Sequence, residues 1–436
     1  MLLVIYFLAI SAVALLSFTR HRIFVVCGFY CFYALLSVLD PGNVPRVGPM
    51  TVFRALYLVA FVSCIARLVQ DRTFVSQMRR WSAPSYFSLL FLILASALYS
   101  QTSGTFASAS GSTVWDALAL VSLFWMCAAQ VQREVDLKIV AGTTVVVSLV
   151  LSVWVIWNAA QLDFTGFRGG IEVNQNYVSL FTLVGAISLC NIILTGKRFL
   201  VRLLFLLPLL CIVSASVILA SLGMLAAFAV GLIWMAATAL RGRSRRTLVG
   251  VAAALVLVFG IAMLLPGSGS LLARFREGDL GTLDQRTVVW SQSIKYFNAS
   301  NLARMTFGQG LSSATFVLEP FVTSDLLNYH NQYLEYLMEQ GVVGLTVFLM
   351  FLYAMIRRVT RSHHPRKHLM LGWMGILMVA GLSSTVADSQ EFWILVGVMA
   401  GVCSLANVST ESAPLALAPP LRNPSSGLSS GAILEG

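Results

Sequence analysis

The chain has 436 residues, of which 58% are hydrophobic and only 11% are charged. Soluble globular chains are nearer half apolar and a quarter charged, so the composition excludes a soluble domain and defines a polytopic membrane protein. The formal net charge of +11 points to nucleic acid only until the charges are placed along the chain.

Apolar runs of roughly 17 to 23 residues, enough to cross a hydrocarbon core as helix, recur along nearly the whole length. Membrane spans are predicted near 2–18, 22–39, 50–69, 85–100, 114–130, 138–159, 174–194, 199–217, 219–240, 247–265, 334–356, 369–386 and 391–408. The predicted fold class is therefore an all-α polytopic membrane protein of about 13 (12–14) transmembrane helices. The first run has no basic residue before it and no small-residue cleavage site leading into a soluble domain, so it reads as a span rather than a signal peptide. All seven cysteines fall inside apolar runs, spaced for neither a disulfide framework nor a zinc site.

One set of alternate loops holds 21 of the 29 basic residues, among them Arg79, Arg80, Arg133, Arg245, Arg246, Arg357 and Arg358. The positive-inside rule makes those loops cytoplasmic, which puts the N-terminus in the periplasm and the C-terminus in the cytoplasm. Topology and contact with anionic membrane lipid account for the basic surplus, so no nucleic-acid partner is expected. Residues 1–265 read as N-terminal transmembrane helices, 266–331 as one large outer loop with short helices, 332–408 as C-terminal transmembrane helices, and 409–436 as a disordered cytoplasmic tail rich in Ser, Pro, Gly and Ala.

Polar groups on the outer face are sparse and recur beside apolar helices. The stretch TGFRGGIEVNQNYVSL (165–180) brings Arg168 past two glycines to Asn174, Asn176 and Tyr177 at a helix start. In LDQRTVVWSQSIKYF (283–297), Arg286, Trp290 and Lys295 are spaced as an amphipathic helix at the membrane surface, with Asp284 its expected N-cap. After a glycine turn, FGQGLSSA (307–314), comes LNYHNQYLE with His330, Asn331 and Glu335, and Glu339 one turn further on. The outer link VADSQEF (386–392) supplies Asp388.

Each of these has a bland reading as well: Arg286 as a solvated helix face, the asparagines as N-caps, and Glu335 as a first-turn acid favoured by the helix dipole. Glu335 and Glu339 stand four apart on one face and repel unless a cation or proton is shared. Ionisable groups at the start of a span are costly unless used, and that favours function at this face. No DxD-like motif, metal-ligand spacing or Walker glycine loop is present, which disfavours a metal-dependent sugar-nucleotide transferase. An outward-facing enzyme has no nucleotide sugar available, so a pre-activated, bilayer-anchored substrate is expected. Arginines suit a phosphate or diphosphate because the guanidinium fork binds it bidentately.

LNYHNQYLEYLMEQGVVGL, preceded by DQRTVVW, FGQGLSSA and RGGIEVNQNYVSL, resembles the O-antigen ligase and polymerase superfamily of the bacterial inner membrane. The resemblance covers about residues 165–405. It implies a metal-independent, inverting glycosyltransferase with no cofactor, acting at the periplasmic face. Its implied substrate is an undecaprenyl-diphosphate-linked glycan, and its implied acceptor a second glycan or lipid A-core. A chain-length regulator is a candidate further partner.

By motif, Arg168 and Arg286 would hold the diphosphate and His330 would deprotonate or orient the acceptor hydroxyl, for which an ordinary histidine pKa near 6.5 is suited. Asn331, Asn174, Asn176 and Tyr177 would position sugars, and Glu335 and Asp388 would line the same site. Where the family often has Ser-Arg-Gly, this chain reads ASLGML, with Leu222 in the arginine's place. Either Arg46 or Arg54 supplies that charge or the substrate geometry differs. Polymerisation of repeat units, for exopolysaccharide or O-antigen, is the first expectation and glycan ligation the second. A lipid-linked oligosaccharide transporter ranks lower, because the predicted spans keep their charges near the ends instead of at midplane.

Overall fold

The structure is a computed structural model that describes residues 22–39, 46–47, 50–51, 57–58, 61–62, 64–65, 111–161, 175–196, 199–219, 221–240, 260–261, 264, 281–321 and 328–411. The predicted spans 2–18 and 85–100 lie outside these residues, and 50–69 and 247–265 lie mostly outside them. So do the tail beyond residue 411 and the first part of the outer loop.

The described residues are helical apart from a two-residue antiparallel pair, β1 (Arg46–Val47) with β2 (Met50–Thr51). The membrane helices are α1 (Ile23–Leu39), α2 (Gly111–Gln130), α3 (Asp136–Gln161), α4 (Gln175–Thr195), the short α5 (Phe199–Leu204) with α6 (Leu206–Ile218), and α7 (Leu222–Ala239). Three helices follow within the segment predicted as the outer loop, and are called the outer helices for that reason: α8 (Gly281–Ala299), α9 (Leu302–Phe307) and α10 (Ser313–Leu318). The chain closes with α11 (Gln332–Arg361), α12 (Lys367–Ala380), a 3-10 turn at Val386–Asp388, and α13 (Gln390–Glu411). Among the described residues four helices, α3, α4, α7 and α11, are long and apolar enough to cross a membrane, and shorter apolar helices stand beside them.

A hydrocarbon solvent gives helices no hydrophobic reason to associate, so small residues and buried hydroxyls do the work. Ser148 of α3 donates to the Phe181 carbonyl of α4 at 2.7 Å, and Thr144 meets Ser188 at 2.8 Å. Trp373 of α12 reaches the same Ser188 through its indole N–H at 3.1 Å. Helices α7 and α12 approach at Gly231, where a Cβ would sit 2.7 Å from the Gly372 carbonyl.

The outer helices have a core of their own. Val289 and Phe297 of α8, Ala314, Val317 and Leu318 of α10, and Tyr329 pack with Leu334 and Met338. Those last two residues begin α11, whose later residues Phe348, Phe351 and Leu352 belong to the membrane core. One helix therefore serves both cores, and it does so by breaking. At Gly341 the backbone leaves helical geometry (φ 69°, ψ −168°), which corrects the uninterrupted span predicted over 334–356. From Val342 to Arg361 the second limb rises roughly 30 Å, one hydrocarbon thickness.

The glycine turn of FGQG fills the break. The Gln309 and Gly310 amides donate to the Met338 and Glu339 carbonyls at 2.8 and 2.9 Å, satisfying groups that the break leaves without helical partners. Gly308 has φ 87°, and a Cβ there would lie 2.2 Å from the Glu339 carbonyl; a Cβ on Gly341 would lie 2.3 Å from the Thr306 oxygen. Only glycine permits both the dihedral and the approach.

Gly308→Ala should lower the thermal stability of the detergent-solubilised protein by about 1–3 kcal/mol, the cost of a strained backbone position. Gly142→Ala in α3, where a Cβ meets nothing within 4 Å, is the control and should leave the melting temperature unchanged or slightly raised. A scanning melt of both variants checks this.

Candidate functional site

His330 stands just before α11, in the described segment that begins at Asn328. Asn331 is the N-cap of α11: its side-chain oxygen accepts from the Tyr333 and Leu334 amides at 3.0 and 3.1 Å, so the bland reading of this residue holds for that oxygen. Asn328 accepts from the His330 amide at 2.7 Å. Between these two turns His330 has φ 49°, a left-handed conformation uncommon for a residue with a side chain.

Four hydrogen bonds from outside the loop fix that conformation. The Trp290 indole donates to the Tyr329 carbonyl at 2.9 Å, and Tyr329, its ring fully buried, meets Ser313 through its hydroxyl at 2.9 Å. The Gln332 amide donates to the Gly381 carbonyl at 2.7 Å, and the Gln332 side-chain oxygen accepts from the Ala387 amide at 2.5 Å.

Arg286 lies on the outer helix α8, one turn before Trp290, and is close enough for its charge to act on the imidazole. Burial, aided by the Arg286 guanidinium, lowers the His330 pKa to about 4. The expectation of an ordinary value near 6.5 is corrected: the imidazole is neutral across the physiological range, a proton acceptor of reduced basicity.

The two carboxylates behind the histidine accept hydrogen bonds from different parts of the chain. Each has its own donor: Glu335 accepts from the Gln332 side-chain amide at 2.8 Å, and Glu339 from the Ser312 backbone amide at 2.6 Å. Glu339 thereby holds the FGQGLSS turn, whose Ser312 is itself left-handed at φ 60°.

The start of α4 reaches the same neighbourhood through Thr385. Its carbonyl accepts from the Tyr177 hydroxyl and its hydroxyl from the Asn328 side chain, both at 3.5 Å, the outer limit for such bonds. Asn176 accepts from Ser221 at 2.8 Å, which ties α4 to the residue just before Leu222 and α7. Asp388 ends the 3-10 turn beside Ala387, and Arg46 lies in β1; only their backbones are described. Arg168, Asn174 and Arg54 lie outside the described residues.

The structure therefore brings together His330, Arg286, Asn331 and Glu335, with Tyr177 and Asn176 nearby. Trp290, Tyr329, Gln332, Glu339 and Thr385 hold them and were not singled out as site residues from the sequence. Of this scaffold the sequence marks the FGQG glycine turn, Trp290 and Glu339, and the turn meets Gly341 in space.

An all-α membrane protein with a small outer unit packed over a broken helix is the class these features define. Residues 207–349, which contain α7 to the first part of α11 together with Arg286 and His330, match the family model described as O-antigen ligase. A 153-residue stretch, 33% of this chain, is 28% identical to the exopolysaccharide production protein ExoQ of Rhizobium meliloti (strain 1021) and covers 35% of that protein. Both matches support the resemblance to the O-antigen ligase and polymerase superfamily that the sequence carries.

Because its folded-state pKa is depressed, the unfolded chain takes up the His330 proton first. Its contribution to stability is thus present above pH 6.5 and lost as pH falls toward 4. Carbethoxylation of His330, which requires the neutral ring, should reach half its maximal rate near pH 4 in the wild type when read by peptide mass spectrometry. In Arg286→Gln the midpoint should move part of the way back toward 6.5.

Proposed function

We propose that the protein is an inner-membrane glycosyltransferase that polymerises undecaprenyl-diphosphate-linked oligosaccharide repeat units at the periplasmic face, in a multi-pass fold of about 13 spans. The observation that carries this reading is the pairing of a half-buried imidazole, its pKa lowered to about 4, with the Arg286 guanidinium on a helix that packs against the first limb of α11.

In this reading Arg286 binds the diphosphate of the lipid-linked donor and stabilises the charge that develops as the sugar–phosphate bond breaks. The acceptor hydroxyl attacks the anomeric carbon from the opposite face, forming the new glycosidic bond with inversion, and its proton passes to the neutral imidazole of His330. The leaving group is undecaprenyl diphosphate. Diphosphate is a good leaving group once neutralised, so the proton is withdrawn late and a base of lowered pKa suffices. Arg168 is assigned a second place on the diphosphate, with Arg46 or Arg54 supplying the charge that Leu222 lacks. Asn174, Asn176, Tyr177 and the free end of the Asn331 amide are assigned to the sugars, and Glu335 and Asp388 to the site wall. No metal or cofactor is required for this step.

The name of the Rhizobium relative, an exopolysaccharide production protein, favours the polymerase. The description of the matching family favours a second reading on the same chemistry, transfer of a finished glycan to lipid A-core. The two differ in acceptor alone.

Purified protein in liposomes with a lipid-linked oligosaccharide as the only substrate should yield a ladder of multimers on a gel. Product that appears only after lipid A-core is added would establish the ligase instead. His330→Ala should insert and remain folded while product formation falls about 10²-fold or more. Arg286→Lys keeps the charge but loses the bidentate fork, and a drop of about 10-fold is expected; an unchanged rate would return Arg286 to a solvated helix face.

A further inference from the structure

We infer that Trp290 is the positioning residue that sets the separation of Arg286 and His330, and so governs how strongly the arginine's charge acts on the imidazole. The inference rests on the reading above, in which those two residues work as a pair.

The geometry begins with α8. Val289, Ser293 and Phe297, four apart, are buried on the face turned to the outer core, which fixes the rotation of the helix. Arg286 and Trp290, also four apart, lie on an adjoining face. From that face the Trp290 indole N–H donates to the Tyr329 carbonyl at 2.9 Å. That carbonyl belongs to the peptide that joins Tyr329 to His330, the residue with φ 49°. The bond therefore restrains the peptide plane on which the histidine's direction depends, and its donor is on the helix that carries the arginine.

A half-buried tryptophan commonly finds some partner for its indole N–H, and packing alone would explain a contact. Here the rest of the loop is already held without it. The Tyr329 hydroxyl is bonded to Ser313, Asn331 caps α11, and the Gln332 amide binds the Gly381 carbonyl. Those bonds attach the loop to α10, α11 and the end of α12, and none of them reaches α8. Trp290 supplies a hydrogen bond that couples the loop to the arginine's own helix. Of the charged groups nearby, Arg286 acts on His330, while Glu335 and Glu339 act on the neighbouring Tyr329.

The test follows the His330 imidazole by NMR in protein labelled at histidine carbons and nitrogens, the signal being assigned by its loss in His330→Gln. The full chain is used in detergent micelles without substrate, so the result stands apart from whether the protein transfers sugars. In the wild type the ring should titrate near 4. Trp290→Phe, which keeps an aromatic ring and removes the N–H, should move the titration toward 6.5. The same substitution made in Arg286→Gln protein should move it distinctly less, because the charge it repositions is gone. Equal movement in both backgrounds would mean that Trp290 only shields the ring from water, and no movement would mean that it does not hold the loop; either overturns the inference. Should Trp290→Phe fail to fold, benzothienylalanine at 290 replaces the N–H by sulfur in the same shape and carries the same comparison.

Discussion

The fold over the membrane depends on one backbone contact, the FGQG turn laid into the break of α11. A continuous helix would carry Gln332 to Gln340 straight out of the membrane and leave the outer unit without a floor. Gly341 at φ 69° turns the chain, and Gly308, with no Cβ to clash, approaches within reach of the Glu339 and Gln340 backbone. The amides of Gln309 and Gly310 then accept the role of the missing helical donors. Each exposed carbonyl at such a break costs on the order of 1–3 kcal/mol when buried unpaired, so the turn and the break stabilise each other.

From that contact the site follows. The short limb of α11 presents Leu334 and Met338 to the outer core, while Tyr336 stacks on Phe348 at 4.1 Å between ring centres and so joins the membrane core. His330 lies just before this limb and is held by both cores at once. Burial there removes water from the imidazole, and the arginine on α8 adds a repelling charge; both favour the neutral ring. A neutral imidazole beside a permanent cation is an asymmetric pair, one group suited to accept a proton and the other to bind an anion. Behind the histidine, Glu335 accepts from the Gln332 side chain and Glu339 from the Ser312 amide.

The family match and the geometry agree on where to look. The matched residues, 207–349, contain α8 to α10, the break in α11 and the Arg286–His330 pair. Identity of 28% over a third of the chain supports the superfamily resemblance and does not extend to the acceptor.

The sequence by itself determined the membrane class, because 58% apolar residues in span-length runs leave a helix no other solvent than lipid. It also located α3, α4, α7 and α13 within a few residues and marked the HNQYLE segment, since hydropathy and motif are local properties of the chain, whereas the span predicted to 386 ends at Ala380 in α12. Other features were decided only by tertiary structure. Helix α8 begins at Gly281, so Asp284 falls inside the helix instead of capping it. The single span over 334–356 is a broken one, because the Gly341 turn is met by a distant segment in which Gly308 allows the close approach and the Gln309 and Gly310 amides supply the donors. An ordinary histidine pKa became one of about 4 because burial and Arg286 act through space, across a sequence separation that no local pattern records. Trp290 read as one residue of an amphipathic face, and only the folded chain shows that its N–H meets the peptide before His330. Hydropathy acts residue by residue and is legible in order, whereas hydrogen bonds and charges in a folded unit depend on pairs, and pairs exist only once the chain has closed on itself.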